Sequence, residues 1–249
     1  NKYRGQFIYE NLMIQNNVIH SSHLSSVKKL IFIGSACIYP KFAKQPISEN
    51  ELLNGYLEKT NEPYAVAKIA GVKLCQSYFE QYQSNFISLM PNNLYGPNDN
   101  FDLDNSHVIP ALIRKFYEGK SSRKNNVVVW GSGTPLREFV HVKDLVRAMA
   151  FVMQYIDAED VYCHNISHIN VGSGEEVSIK ELAFMIKEIV GYKGKITFDN
   201  SMPDGTPRKI LDTSFLNQLN WTPKIKLEEG IYSLYQWFKK NQGQKKALY

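Results

Sequence analysis

The sequence has few cysteines, and none of them is arranged as a pair. Cys37, Cys75 and Cys163 are widely spaced, with no C-x-x-C motif among them. This pattern argues against a disulfide framework or a zinc site, and it is typical of a protein from the reducing cytoplasm. The histidines show no metal-ligand spacing either. We therefore expect a cytoplasmic protein that binds no metal ion.

Long apolar runs and strong charge are also lacking. No apolar run in the 249 residues approaches the length of about 18 residues that a membrane helix needs, and the first residues, NKYRGQFIYENL, lack the basic-then-apolar order of a signal peptide. The net charge of +5 is modest and spread along the chain. We therefore expect no membrane span and no nucleic-acid binding, although an anionic nucleotide ligand could account for part of the charge.

The dinucleotide-binding motif G-x-G-x-x-G is missing as well. Residues 131–133 and 172–174 both read Gly-Ser-Gly, but neither segment continues to the third glycine. The residues that would cradle the pyrophosphate of a dinucleotide therefore cannot be identified in this sequence.

What the sequence does contain is a short apolar run followed by candidate catalytic residues. Residues 30–33 (LIFI) predict a strand buried on both faces of a parallel sheet, and Ser35 follows its carboxyl end, where open α/β sheets bind ligands. Residues 61–74 predict a helix on which Tyr64 and Lys68 share one face. An ammonium beside a phenol lowers the pKa of the phenol toward the working range of a general acid/base. Taken alone, the pair is a weak signal that favours a rim tyrosine and a solvated lysine.

Predicted helices and strands alternate along the rest of the chain. Residues 1–27 carry a rough apolar stripe typical of a helix. Ser178 and Glu181 form a capping box that begins another helix, which Gly191 ends. Residues 91–97 and 98–106 predict loops. The other predicted strands are 86–90, 127–130, 137–142, 168–171 and 195–198, and the other predicted helices are 143–155, 213–218, 227–239 and one beginning at Pro110.

Seven segments together resemble a known enzyme family. A buried strand, a serine and then Tyr-x-x-x-Lys on a helix is similar to the order in the extended short-chain dehydrogenase/reductases, in which Ser, Tyr and Lys act together. More specifically, the chain resembles the family of GDP-L-fucose synthases, the GDP-4-keto-6-deoxy-D-mannose 3,5-epimerase/4-reductases. The segments that carry the resemblance are, in order, GSACIYPK, TNEPYAVAKIAGVKLC, MPNNLYGPNDNF, SHVIPALIRKF, VVVWGSGTPLREFVHVKDL, HINVGSG and PDGTPRKILD.

The resemblance implies an α/β fold with two parts. A Rossmann-type doubly wound parallel sheet would form an NADP-binding domain from residues 1–97, with later segments near 127–150 returning to it. Residues 98–249 would form mainly a smaller mixed α/β substrate-binding domain. Family members place the glycine loop on their first strand, so we expect about 70 residues of the fold, including its N-terminal strands, to be missing here. The sequence is then either a fragment of a longer protein or omits an amino terminus that was not resolved.

The resemblance also implies two catalytic groups. Ser35, Tyr64 and Lys68 would form the reductase centre, where hydride from NADP(H) reaches a sugar ketone at C4 and Tyr64 protonates the oxygen. Lys68 would hold the nicotinamide ribose and lower the pKa of Tyr64. Cys37 and His107 match the base and acid that invert C3 and C5. Without the resemblance, Cys37 would be interpreted as a buried thiol and His107 as a capping or surface residue.

The binding residues follow from the same resemblance. Lys115 and Arg137 suit a diphosphate, although relatives often carry arginine where this chain has Lys115. Trp130 can stack on guanine or sugar, and Asp204 can accept hydroxyl groups; alternatively, Trp130 belongs to the core and the two charges to the surface. The expected NADP(H)-binding residues are Ile33, Gly34, Ser35, Ala36, Tyr64, Lys68, Pro91, Asn92, Asn93, Leu94 and His107, and the expected GDP-sugar-binding residues are Asn93, Lys115, Trp130, Arg137 and Asp204.

Several functions remain open at this stage. The principal hypothesis is synthesis of GDP-L-fucose, and the nearest alternative is an epimerase/reductase acting on a GDP-4-keto heptose for surface polysaccharide. A UDP- or dTDP-sugar epimerase fits the SACIYP and SHVIPALIRKF segments less well. A catalytically inactive NADP-sensing regulator of the same fold is disfavoured by the intact Ser35, Tyr64 and Lys68. The resemblance further suggests a homodimer in which the first helix and the Tyr64 helix form a four-helix interface.

Overall fold

The computed structural model describes residues 3–241. Within that range no helix combines the length and the apolar composition that a membrane crossing requires. The elements, in chain order, are α1 (Arg4–Leu24), β1 (Leu30–Ile33), α2 (Glu62–Tyr82), β2 (Phe86–Pro91), β3 (Asn93–Tyr95), α3 (Val108–Ser121), β4 (Asn126–Trp130), β5 (Leu136–His141), α4 (Val142–Tyr155), α5 (Ala158–Tyr162), β6 (Ile169–Val171), β7 (Glu176–Ser178), α6 (Ile179–Val190), β8 (Lys195–Asp199), β9 (Arg208–Lys209), α7 (Ser214–Gln218) and α8 (Leu227–Asn241).

The first sheet has three parallel strands in the order β1-β2-β6. Every residue of β2 is buried, because helices cover both faces of the sheet. Phe86 and Met90 pack in a core with α2, whereas Ile87 and Leu89 pack in a second core with α4. A parallel sheet covered on both faces confirms the predicted doubly wound α/β class.

Helix α2 lies very close to β1, and this approach depends on a glycine. A Cβ atom at Gly71 would lie 2.4 Å from Cζ of Phe32, so only glycine lets the helix backbone rest on the phenyl ring. Helix α1 packs alongside α2. Between them the buried Gln15 donates a hydrogen bond of 2.6 Å to the carbonyl of Ala67. These contacts fix the helix that carries Tyr64 and Lys68.

The second part of the molecule has mixed strand pairing. Strand β5 pairs in parallel with β3 and β9 and antiparallel with β7, and β4 pairs in parallel with β8. Helices α3, α6 and α8 supply most of the core of this part. Its buried residues include Ile113, Phe116, Leu182, Ile186, Ile231 and Leu234.

The structure adds strand pairings between distant parts of the chain that the sequence did not predict. Strand β3 lies inside the predicted loop 91–97, because its backbone pairs with β5. The sequence predicts that segments near 127–150 return to the NADP-binding domain. Within this stretch, β4 pairs with β8, and α4 is the part that packs on the first sheet. Strand β6, from the later half of the chain, pairs with β2. The division into two domains at residue 97 stays a prediction. The first two residues of the first predicted domain, 1–2, and the last residues of the second, 242–249, lie outside the described residues.

The helix predictions differ mainly in length. Helix α2 continues to Tyr82, and α3 begins at Val108 rather than at Pro110. The short elements α5, β7 and β9 were not predicted. The capping box of Ser178 and Glu181 is confirmed, and so is the C-cap at Gly191, which has a φ of 72°.

Candidate active site

Ser35 lies where the chain leaves the first sheet. Strand β1 ends at Ile33, and the amide of Gly34 still bonds to the carbonyl of Leu89 in β2 at 2.9 Å. Ser35 then caps a short 3-10 turn, Ala36–Ile38, and its Oγ accepts a hydrogen bond of 3.4 Å from the amide of Cys37. The turn therefore carries the hydroxyl and the thiol together at the carboxyl end of β1.

Lys68 connects helix α2 to this same strand end. Its Nζ donates a hydrogen bond of 3.0 Å to the carbonyl of Ile33. The ammonium also lies 4.9 Å from the ring centroid of Phe32 and 5.6 Å from that of Tyr64. Tyr64 packs in turn against the ring of Phe7 in α1, at a centroid distance of 5.4 Å. The predicted trio Ser35, Tyr64 and Lys68 is thus brought to one place.

The electrostatics of Tyr64 differ from the sequence-based expectation. Burial, together with the charge of the nearby Cys37 thiol when it is ionised, raises the pKa of Tyr64 to about 12. The ammonium of Lys68, which bonds to the carbonyl of Ile33 and whose own pKa is lowered by burial, does not offset this rise in the pKa of Tyr64. At neutral pH the phenol is therefore protonated. This is the state that a proton donor requires.

Cys37 lies within electrostatic reach of both Tyr64 and Lys68. Burial raises the pKa of the Cys37 thiol, and the hydrogen bond to Ser35 and the charges of Lys209 and Lys68 partly oppose that rise. Lys209, in β9, was not selected from the sequence, although it lies in the PDGTPRKILD segment that carries the resemblance. Burial and the charge of Arg137, its neighbour across the β5–β9 pair, lower the pKa of Lys209 itself, so this lysine lies near both the cysteine and a predicted substrate residue.

The predicted substrate residues line one cavity of about 230 Å³. Asn93, His107, Trp130, Arg137 and Asp204 all lie in its wall, and His107 occupies the N-cap position of α3. A larger cleft of about 570 Å³ lies elsewhere, between α2 and α5, but its wall contains none of the predicted site residues. We therefore take the smaller cavity as the candidate substrate site.

Lys115 lies beside this cavity rather than in its wall. Its Nζ is 4.9 Å from the ring centroid of Trp130 and donates a hydrogen bond of 3.2 Å to the carbonyl of Val128. The indole is half exposed, so the interpretation of Trp130 as a core residue is wrong. A cation held over an aromatic face at a cavity edge is suited to a ligand that combines charge with a flat ring.

Arg137 and Asp204 are joined across the cavity wall. The guanidinium of Arg137 donates to its neighbouring carbonyl, Leu136, at 2.9 Å and to the carbonyl of Asp204 at 3.3 Å. The carboxylate of Asp204 accepts hydrogen bonds from the amide and the hydroxyl of Ser132, at 2.7 and 2.8 Å. Asp204 therefore already holds the turn at residues 131–133 closed, and only its remaining lone pairs can meet a sugar hydroxyl.

A buried acid that the sequence did not single out organises the loop after β2. The carboxylate of Glu138 accepts a hydrogen bond from the side-chain amide of Asn92. Asn92 in turn accepts from the backbone and side-chain amides of Asn93, each at 3.1 Å. The signal for Glu138 was an acidic residue inside the predicted strand 137–142, a position where strands rarely carry acids.

The residues described offer groups for a nucleotide rather than for a metal. No cluster of three or more His, Cys, Asp or Glu side chains within residues 3–241 is placed to hold a metal ion. The hydroxyl of Tyr64 has no hydrogen-bond partner in that range of the chain. Lys68 and Lys209 lie within electrostatic reach of Cys37, Arg137 lies in the cavity wall, and Lys115 lies beside that wall.

Comparison with known proteins identifies the family of the chain. Residues 1–172 match the family model described as the NAD dependent epimerase/dehydratase family. The chain is 56% identical to the GDP-L-fucose synthase of Escherichia coli K12 over 246 residues, which is 97% of this chain and 76% of that protein.

Two solved structures are also similar. A GDP-mannoheptose C4 reductase from Campylobacter jejuni with NADP bound superposes with a TM-score of 0.86 at 42% identity, over 95% of this chain and 77% of that one. A GDP-L-fucose synthetase from Naegleria fowleri bound to NADP superposes with a TM-score of 0.88 at 30% identity, over 97% and 75%. The chain therefore belongs to the NAD dependent epimerase/dehydratase family, and its sequence places it among the relatives of the GDP-L-fucose synthases.

Proposed function

We propose that this protein converts GDP-4-keto-6-deoxy-D-mannose to GDP-L-fucose by 3,5-epimerisation and NADPH-dependent reduction at C4. The observation that carries the proposal is that Cys37 lies within electrostatic reach of Tyr64 and Lys68 at the end of β1. One substrate position could then be reached by the groups for both half-reactions. The identity with GDP-L-fucose synthases supports the same activity.

The residues at the end of β1 fit a nicotinamide cofactor. Lys68 is held against the strand end, and the free hydroxyl of Tyr64 stands beside it. Asn92 and Asn93 have ordered side-chain amides in the loop after β2. When bound, NADPH supplies a hydride. We assign its binding to this part of the chain, mainly before residue 97.

The reduction requires a proton for the oxygen at C4. Because Tyr64 is protonated at neutral pH, its phenol can donate that proton as the carbonyl becomes an alcohol. Ser35 donates a second hydrogen bond to the same oxygen and stabilises its developing charge. Lys68 holds the cofactor ribose and places a positive charge near the phenolate that remains.

The epimerisation requires a base and an acid beside the sugar ring. The protons at C3 and C5 are acidic because each adjacent carbanion is stabilised by the C4 ketone. We assign their removal to the Cys37 thiolate, which Lys209 and Lys68 favour, and reprotonation to His107 in the cavity wall. We assign the diphosphate to Arg137 and Lys115 and the guanine or sugar face to Trp130, while Asn93 and Asp204 meet polar groups of the sugar.

We also propose that the protein is a homodimer formed through α1 and α2. Phe7, Ile14 and Val18 form a stripe on the outer face of α1, and Ile14 is 66% exposed. Val66 of α2 is exposed as well. An apolar face of this kind on two packed helices suits the same face of a second copy.

Light scattering tests the dimer with a matched pair of variants. Ile14→Glu should give a monomer, whereas Val146→Glu, a comparable exposed position on α4, should leave the dimer intact. A monomeric wild-type protein at high concentration would end this part of the proposal. The three cysteines are free, and we place the protein in the cytoplasm on that basis.

A GDP-4-keto heptose is the second candidate substrate. The supporting observation is the similarity to the GDP-mannoheptose C4 reductase, at 42% identity. An inactive NADP-binding regulator is less well supported, because Ser35, Tyr64 and Lys68 are all present and the ammonium of Lys68 is held at the strand end that Ser35 follows.

The deciding experiment uses the full-length protein with NADPH and GDP-4-keto-6-deoxy-mannose. Cofactor oxidation is followed by absorbance, and the sugar product is identified by NMR. Oxidation with GDP-L-fucose as the product supports both half-reactions. An unepimerised product would refute the roles of Cys37 and His107. No oxidation with the hexose, but turnover of the GDP-heptose analogue, would select the second candidate.

A further inference from the structure

Glu138 in β5 is a fully buried carboxylate with a partner on each of three chain segments. Its Oε2 accepts hydrogen bonds from the side-chain amide of Asn92 and, at 3.1 Å, from the backbone amide of Leu211. Its Oε1 accepts from the backbone amide of Gly174 at 2.8 Å. A Cβ atom at Gly172 would lie 2.4 Å from Oε1, so the chain closes tightly around the acid.

The first of these segments carries the side chains expected at the cofactor. Asn92, held by Glu138, accepts two hydrogen bonds from Asn93, one from its backbone amide and one from its side-chain amide. Asn93 also donates from its side chain to the backbone carbonyl of Glu138 at 2.8 Å. The amide of Asn93, which lines the cavity, is therefore oriented entirely by Asn92 and Glu138.

A second segment carries the cation beside the cysteine. Leu211 lies two residues after Lys209, and the carbonyl of Lys209 accepts a further hydrogen bond from Asn92 at 3.4 Å. Strand β9 pairs with β5 at Arg137 and Lys209. The charge of Lys209 lowers the pKa of Cys37, and the charge of Arg137 lowers the pKa of Lys209. The backbone around this lysine is thus fixed by the same carboxylate.

The three hydrogen-bond donors around Glu138 require a side chain that accepts hydrogen bonds at both of its terminal atoms. An ionised carboxylate has two oxygens and no donor, so it can satisfy all three. Glutamine at this position would turn an NH₂ group toward at least one donor and leave it unpaired.

We propose that Glu138 is a positioning residue that holds the side-chain amide of Asn93 and the backbone that carries Lys209 in their places in the site. This inference rests on the proposed function, because it assigns these two groups to the reacting sugar and cofactor. Glu138 itself touches neither ligand. It acts through Asn92 on one side and through the backbone of β9 on the other.

Asp144 at the start of α4 provides a matched control. Its carboxylate is also buried, accepts backbone amides from Lys224 and Ile225 at 3.1 and 2.9 Å, and has one side-chain donor, Arg147. None of these partners lines the cavity. Asp144→Asn therefore disturbs a buried acid of the same kind outside the site.

The experiment compares Glu138→Gln with Asp144→Asn in the full-length protein. Both should lower the thermal unfolding midpoint. Only Glu138→Gln should lower kcat, by about 10- to 100-fold, because displacement of reacting groups by an ångström has effects of that size. The affinity for GDP, measured by calorimetry, should stay unchanged in both. Combined with Asn92→Ala, the loss should be smaller than the product of the two single losses.

Two results would overturn the inference. One is an equal kcat in Glu138→Gln and Asp144→Asn while the wild-type protein is active. The other is a loss of kcat in the Glu138→Gln/Asn92→Ala double variant that equals the product of the two single losses. If the wild-type protein turned over no GDP-sugar, the proposed function would fail, and NMR would still test Glu138. The side-chain amide resonances of Asn93 should shift in Glu138→Gln and not in Asp144→Asn, and unshifted resonances would refute the positioning role.

Discussion

Replacing Tyr64 with phenylalanine removes one hydroxyl from the centre of the proposed site. The ring contact with Phe7 and the position under the ammonium of Lys68 do not involve that hydroxyl. The hydroxyl also has no hydrogen-bond partner in the described part of the chain. We therefore expect the free energy of unfolding to change by less than about 0.5 kcal/mol.

The effect on reduction should be much larger. Loss of a general acid lowers a rate by about 10²- to 10⁴-fold, which corresponds to roughly 3 to 5 kcal/mol in the barrier. The assay follows NADPH oxidation together with the exchange of substrate protons for deuterium in heavy water. Reduction should nearly stop, whereas exchange at C3 and C5 should continue, because Cys37 and His107 remain.

A control and two contrary outcomes make the Tyr64→Phe experiment decisive. Tyr155→Phe makes the same chemical change on the exposed surface of α4 and should leave both rates unchanged. If Tyr64→Phe reduced its substrate at nearly the wild-type rate, Tyr64 would not be the proton donor. Loss of exchange as well as reduction would mean that the tyrosine shapes the whole site.

Three further predictions concern other groups. Cys37→Ser should abolish deuterium exchange at C3 and C5; in the wild-type protein the burial-raised pKa of this thiol should make exchange rise by about tenfold per pH unit near neutrality, and a flat profile would exclude the thiolate as base. Burial lowers the pKa of His168 to about 3, so below its ordinary value of 6.5 the unfolded chain takes up a proton that the folded chain does not. Urea unfolding should show about 2 kcal/mol less stability at about pH 5 than at pH 7 from this group, and His168→Gln should lack that component. Gly71→Ala should lower stability despite the roughly 1 kcal/mol that alanine contributes in a helix, because its Cβ overlaps the buried ring of Phe32; higher stability in a melt would contradict the close packing.

The state of Tyr64 shows why proximity in sequence did not fix the chemistry. A Tyr and a Lys four residues apart on a helix predict a lowered phenol pKa. In the folded chain the ammonium of Lys68 bonds to the carbonyl of Ile33, and desolvation of the phenol dominates. The same two residues then favour a proton donor at neutral pH rather than a preformed phenolate.

Local pattern alone determined much of this protein. The apolar run before Ser35, the i, i+4 spacing of Tyr64 and Lys68, and the capping box at Ser178 depend on neighbours in the chain. Their strand, helix and cap are found where the sequence predicts them. The family followed from motifs of the same local kind.

Tertiary structure decided the groupings that depend on distant pairing. Residues 93–95 form strand β3 because their backbone pairs with β5. Strand β9 also pairs with β5, and this pairing holds Lys209 in the part of the fold that contains Cys37. Glu138 holds Asn92, Gly174 and Leu211, which are far apart in sequence. Local periodicity carries no signal for such contacts, since a buried acid and its donors are recognised only once the folded backbone has brought them together.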